Sequence, residues 1–220
     1  MRSIAIDGPA GAGKSSIAKE ISKKTGFVYV DTGAMFRALG LYFIKKGIKL
    51  EDETAVARLL DDIDIKVVYK DEEQRIMLSG EDVTGHLRSE EAAGAASSLS
   101  VYSAVREKLL CVQRDIAKQY NVVMDGRDIG TKVLPDADVK IYLTAGIKER
   151  AKRRFFELVQ KGEKPDIKKI ERDMQDRDYR DMHRKNSPLA KAEDAYEIDT
   201  TDMTIKEVVE KILDIAALTG

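Results

Sequence analysis

The chain has 220 residues, 43% of them apolar and 35% charged, which suits one folded domain with a real core and excludes a disordered or collagen-like polymer. Thirty-eight Lys and Arg against 39 Asp and Glu leave a net charge of -1, so no field over the whole surface points to a nucleic-acid polymer or a membrane as partner. One cysteine, Cys111, and two distant histidines, His86 and His183, supply neither an internal disulfide nor a metal set, and no apolar run approaches the ~20 residues that span a bilayer, so a cytoplasmic protein is expected.

Apolar runs and helical stretches alternate through the first quarter, the pattern of βαβ units. Ser3–Asp7 reads as a buried strand, and Lys14–Lys24 as a helix with Ile17, Ala18 and Ile21 on one stripe and Gly26 as its stop. Phe27–Asp31 reads as a second buried strand. Thr32–Lys46 follows as a helix, with Met35, Leu39 and Phe43 at helical spacing and Gly47 just past its end. The pattern then changes: Ile65–Tyr69 and Arg75–Leu78 flank the polar stretch Lys70–Gln74, which predicts a hairpin inserted into an α/β chain. Helical content resumes over Ser89–Tyr120, and buried strands are expected at Val122–Asp125, Val139–Thr144 and near Tyr196–Ile198. Residues 140–192 hold sixteen Lys and Arg against nine Asp and Glu, a local excess that favours an anionic ligand near the C-terminal third, although solvated helix faces account for part of it.

Between the first strand and the first helix, Gly8-Pro9-Ala10-Gly11-Ala12-Gly13-Lys14-Ser15 satisfies G-x-x-x-x-G-K-[ST] in the context the motif needs. Inward-turned backbone N–H groups and the positive end of the helix would cradle phosphate; Lys14 would reach the β- and γ-phosphates and the Ser15 hydroxyl would ligate Mg²⁺. Asp125, closing the strand Val122–Asp125, is a second candidate for magnesium or its waters, though many buried strands end in Asp where the loop begins. The loop names a donor and leaves the acceptor open. No N-K-x-D segment is present to read guanine. An anionic phosphate acceptor needs cationic clamps more than a base, and Arg37 and Arg127 both fall just beyond strand carboxyl ends, where open α/β sheets bind ligands. Further on, Arg177, Asp181 and Arg184 stand at i, i+4 and i+7, placing two guanidinium forks and a carboxylate on one helix face; on spacing alone, a surface ion pair between Arg177 and Asp181 is as good a reading as a functional role.

Together these segments resemble the bacterial-type cytidylate kinases, P-loop nucleoside monophosphate kinases that make CDP from CMP and ATP. The resemblance spans nearly the whole chain and rests on Ile6–Ser15, Asp31-Thr32-Gly33-Ala34-Met35-Phe36-Arg37, Gly80–Thr84, Val105-Arg106-Glu107, Asp125-Gly126-Arg127-Asp128-Ile129-Gly130-Thr131 and Arg177–Asp181. It implies a five-stranded parallel sheet flanked by helices in a single domain, with core residues 1–62, 86–148 and 186–220. The hairpin-containing monophosphate-binding insert falls at about 63–85 and a helical lid at about 149–165. It also implies an ATP-dependent transfer to CMP, and to dCMP, with Mg²⁺ as cofactor; no coiled-coil heptad or long exposed apolar stripe argues for assembly, so a monomer is expected. Carried over, the resemblance makes Gly8–Ser16 the donor cradle, with Lys14, Arg127 and Arg184 at the chemistry. Arg37, Arg127 and Arg184 fall at the acceptor phosphate, with Thr32 among the substrate residues, and Arg177 and Asp181 at the ribose. Ser97, Arg106 and Asp128 fall at the cytosine, with Ser98 and Ser100 close alternatives to Ser97, and Arg153 at the donor adenine. Two positions depart from the commoner pattern, Thr32 in place of Ser and Ser16 in place of Thr; each keeps a hydroxyl.

Overall fold

The computed structural model describes residues 1–70 and 73–218. Its chain divides into two compact units, one of Met1 and Val28–Val122, the other of Arg2–Phe27 and Val123–Gly220. A parallel sheet takes β1 (Ser3–Asp7), β2 (Val28–Asp31), β6 (Val122–Gly126), β7 (Val139–Thr144) and β8 (Tyr196–Asp199) in the order β2-β6-β1-β7-β8.

In the second unit, β1 pairs with β7 from Ile4↔Val139 to Asp7↔Tyr142, and β7 with β8 from Ile141↔Tyr196 to Thr144↔Asp199. The strands are apolar runs because both faces are covered: Ile4, Ala5, Ile6, Val123, Met124, Val139, Ile141 and Leu143 are all buried. α1 (Lys14–Thr25) buries the expected Ile17, Ala18 and Ile21, and Gly26, at φ 72°, stops it by donating its N–H to the Ser22 carbonyl. α6 (Ile147–Gln160) packs on α7 (Ile167–His183), and α8 (Ile205–Leu218) packs on α1.

The first unit holds α2 (Thr32–Lys45), α3 (Glu53–Leu60), α4 (Glu90–Leu99) and α5 (Ser103–Gln119). Asp31 caps α2, its side chain accepting from the Ala34 N–H at 2.9 Å, and Met35, Leu39, Phe43, Leu99, Val105 and Leu109 fill the core. A separate antiparallel sheet joins β3 (Ile65–Lys70), β4 (Glu73–Leu78) and β5 (Glu81–Asp82).

Several expectations need correction. The insert's hairpin gains a third strand, and α3 was not foreseen: only Val56 and Leu60 of its eight residues are buried, too few for a stripe to show. Ser89–Tyr120 is two helices, because the main chain breaks at Ser100-Val101-Tyr102, where the Tyr102 hydroxyl donates to the Leu50 carbonyl at 2.8 Å. After β6, Ile129–Val133 forms a π-turn, with the Val133 N–H reaching back five residues to Asp128 O. Arg184 does not share a helix face with Arg177 and Asp181. α7 ends at His183, and Arg184 is extended (φ -65°, ψ 142°), its Nε donating to the Ser187 carbonyl at 2.7 Å on the approach to Pro188.

Candidate active site

In the second unit the phosphate loop joins β1 to α1. Gly8 has φ 147°, and a Cβ there would run into the Leu143 carbonyl oxygen of β7, so this turn admits only glycine. The loop is braced from outside: Arg150 Nη1 donates to the Ala10 carbonyl at 2.9 Å, and the Thr200 hydroxyl to the Ala12 carbonyl at 3.3 Å. Lys14 is buried, and its Nζ donates to the Pro9 carbonyl at 2.7 Å. Burial holds the Lys14 ammonium well below the usual lysine range, and Arg127 and Arg177 push it the same way against the pull of Asp125 and Asp7. A desolvated ammonium amid guanidinium groups calls for an anion, and phosphate is the anion this loop geometry suits.

The Ser15 hydroxyl donates to Asp125 Oδ2 at 2.9 Å. Two hard oxygen donors therefore meet at the foot of the loop, a donor set that suits Mg²⁺ shared with nucleotide phosphates. They are the two residues expected to hold it.

A cluster of guanidinium groups gathers on one carboxylate. Arg127 Nε lies 3.0 Å from Asp181 Oδ2, and Arg184 Nη1 lies 3.7 Å from Asp181 Oδ1. Arg184 Nη2 is also 3.7 Å from Asp128 Oδ1. Burial by itself would raise the Asp181 carboxyl, but Arg127, Arg177 and Arg184 outweigh it and hold the group below the ordinary range. Asp181 does not lie on the surface: it is 6% exposed and accepts a hydrogen bond from Arg127, 54 residues away in sequence, with Arg177 also acting on it. Arg127 and Arg177 act on both Lys14 and Asp181, which places the guanidinium cluster beside the phosphate loop. Arg153, on α6, donates to the Thr200 carbonyl at 2.6 Å, and its Nε lies 3.3 Å from Glu149. Ser16 follows on α1.

The first unit carries the remaining candidates. Thr32 opens α2 and is buried. Arg37, one turn on, pairs with Asp31 at 2.8 Å, and the Gln74 amide grips the Asp31 main chain from both sides, at 2.7 Å to its N–H and 3.2 Å to its carbonyl. The Arg37 Nε is buried and makes no hydrogen bond in the structure, a donor poised for an anion. Arg106, on α5, lies over the Phe36 ring at 5.5 Å and donates to the Ser100 carbonyl at 3.0 Å. The Ser100 hydroxyl is spent on the Ser97 carbonyl at 2.9 Å, which distinguishes it from Ser97.

Sequence reasoning passed over three residues. Asp7 was read as the end of a strand, yet it accepts two main-chain N–H bonds from Ile129 and Gly130. Arg150 and Asp178 form a buried pair at 2.6 Å. Only the position of Asp7 directly before the glycine loop was available as a signal; the other two look like ordinary charged helix positions.

A buried lysine on a glycine loop between a parallel strand and a helix, with guanidinium groups beside it, defines a P-loop phosphotransferase of the small-kinase class. A gluconokinase from Sinorhizobium meliloti 1021 has the same fold, with a TM-score of 0.52 at 14% identity over 99% of this chain and 92% of its own. The family model for cytidylate kinase matches residues 4–218. Cytidylate kinases from Caldicellulosiruptor saccharolyticus and Lactobacillus johnsonii are 49% and 48% identical over 212 residues, 96% of this chain and 94% and 92% of theirs. The chain belongs to the cytidylate kinase family.

Proposed function

We propose that the protein transfers the γ-phosphoryl group of ATP to the phosphate oxygen of CMP, and of dCMP, giving the diphosphate. The observation that carries this reading is the buried Lys14 with Arg127 and Arg177 acting on it, a concentration of cationic charge suited to the charge spread over transferring phosphoryl oxygens. An anionic acceptor needs no general base, so the work is positioning and charge neutralisation. Residues Gly8–Ser16 take the donor phosphates, and Arg153 the donor base. Ser15 and Asp125 hold Mg²⁺, which when bound neutralises phosphate charge. Thr32, Arg37, Arg127 and Arg184 are assigned to the acceptor phosphate and its surroundings, Arg177 and Asp181 to the ribose. Ser97, Arg106 and Asp128 are assigned to the base. Cytosine presents an amino donor beside acceptors, and a carboxylate with a guanidinium is the complement; uracil reverses that pattern and would leave desolvated groups unmatched.

Residues 149–165 are assigned as a lid whose closure excludes water from the transfer. Among the described residues no helix is long and apolar enough to cross a membrane; the reading places a monomeric enzyme in the cytoplasm. A coupled assay with CMP, dCMP, UMP, AMP and shikimate tests the acceptor, with fast turnover expected on CMP alone or on CMP and dCMP. Near-normal turnover by purified Lys14→Ala, or preference for shikimate, overturns the reading.

A further inference from the structure

The segment that carries Arg127 and Asp128 leaves β6 at Gly126 and enters the π-turn Ile129–Val133. The first N–H groups of any helical turn lack partners within it and are ordinarily met by the side chain of the residue just before. Asp128 occupies that place and is the right residue type, yet its side chain makes no capping bond; its backbone sits at φ -144°, ψ 30°, and its carboxylate lies toward Arg184, 3.7 Å from Nη2. The cap comes from 122 residues earlier. Asp7 Oδ1 accepts from the Ile129 N–H at 2.8 Å and Oδ2 from the Gly130 N–H at 2.7 Å, one oxygen for each of two consecutive amides. A Cβ on Gly130 would stand 3.2 Å from the Lys140 stem and 3.4 Å from Asp7 Oδ2, so the turn packs closely against side chains of both β1 and β7.

We infer that Asp7 is a positioning residue for the Arg127–Asp128 segment: by capping the turn in place of Asp128, it lets the Asp128 carboxylate stay directed toward Arg184. Since Asp7 also immediately precedes Gly8, one carboxylate sets the register between the phosphate loop and the Arg127–Asp128 segment. The inference rests on the proposed role of Asp128 at the base. It has support in the group's own energetics. Asp7 is 4% exposed, and burial, with help from the like charge of Asp128, pushes its carboxyl up to about 6 against the pull of the two amides and Lys14. A buried carboxylate is costly to carry, and a strand that ended in an apolar residue would pack without that cost. The two amides it satisfies are what the charge accomplishes.

The test is Asp7→Asn, which keeps the shape but presents an N–H to one of the two amides. The KM for CMP is expected to rise by about tenfold, in the range of a lost buried hydrogen bond, with the KM for ATP shifted by less than about twofold. The preference for CMP over UMP falls, and amide exchange at Ile129 and Gly130 accelerates while α8 stays protected. Unchanged CMP kinetics and preference, or equal damage to ATP and CMP, overturns the inference. Asp128→Ala, assayed alongside, separates the two failures: if it loses base preference and Asp7→Asn does not, the positioning role falls alone; if it keeps base preference, the assignment of Asp128 falls and this inference with it. Should Asp7→Asn fail to fold, amide exchange in the unaltered protein decides. Ile129 and Gly130 as slow as β6 support the cap, and rapid exchange at both rejects it.

Discussion

Arg150 and Asp178 form an ion pair of 2.6 Å between α6 and α7, with both side chains almost wholly buried, and the same Arg150 Nη1 donates to the Ala10 carbonyl of the phosphate loop. Its Nε is spent on the Ala145 carbonyl at 2.9 Å, so one guanidinium fastens the start of α6, the middle of α7 and the donor loop together. A fork with several donors in a plane can do this; an ammonium cannot. Taking away one member of such a pair leaves the other charge buried and uncompensated. Asp178→Ala is therefore expected to cost about 3–5 kcal/mol in urea unfolding, and the double variant with Arg150→Met less than the sum of the two single costs. Equal additivity would show that the two side chains do not depend on each other.

The Arg127–Asp181 contact yields a kinetic expectation. Arg127 touches the carboxylate through Nε at 3.0 Å and the Gly126 carbonyl through Nη1 at 3.3 Å, so Nη2 is the donor that would meet a phosphoryl oxygen. Arg127→Ala should lower kcat by roughly 10²–10³, the size seen when one preorganised donor to a transition state is removed. The KM for ATP should move little by comparison. A coupled assay on the purified variant, at saturating ATP, gives the number, and a drop confined to the KM for ATP would assign Arg127 to the donor instead.

How much of this was readable beforehand depended on whether a feature is local. The loop Gly8–Ser15 and the helix Lys14–Thr25 were legible because the glycines, the Lys-Ser pair and the stripe Ile17, Ala18, Ile21 sit within one short window. The parallel strands were legible as apolar runs. The π-turn at Ile129–Val133 was not, since its cap, Asp7, lies in another strand far away in the chain. Helical spacing misplaced Arg184 because α7 stops at His183: Arg184 is extended, and its Nε donates to the Ser187 carbonyl outside the helix. Spacing within the chain could not show that Asp181 is buried and pairs with Arg127, 54 residues away, because that contact exists only once the fold brings the two segments together.

Lys14 gives a prediction about protons. In the nucleotide-free protein, burial and the neighbouring Arg127 and Arg177 hold its ammonium well below the ordinary lysine range. Polyphosphate brings opposite charge within contact distance, which favours the protonated form. Binding of ATP should therefore take up protons. At about pH 8.5, well above the range in which a terminal phosphate titrates, the uptake belongs to the protein. Calorimetry in buffers of different ionisation enthalpy measures it directly, and Lys14→Met should abolish it. Zero uptake by the unaltered protein would show that Lys14 is already fully charged before ATP arrives.

Asp7 predicts how stability varies with pH. Its carboxyl is raised from an ordinary 3.8 to about 6 in the folded state, with burial as the main cause. For a group raised on folding, the favourable contribution is complete below the unfolded value and lost as pH climbs through the folded one. Relative to Asp7→Asn, which has no charge to bury, the unaltered protein should thus lose stability between about pH 4 and pH 6.5, by an amount on the order of 3 kcal/mol for a shift of this size. The comparison must be made as a difference, because Asp181, held below its ordinary range, contributes with the opposite sign and loses its contribution as pH falls. Denaturant unfolding of both proteins at four or five pH values supplies it. A flat difference across that window would mean that the two amides of Ile129 and Gly130 hold the Asp7 charge at no net cost, and the carboxyl would then titrate where an ordinary aspartate does.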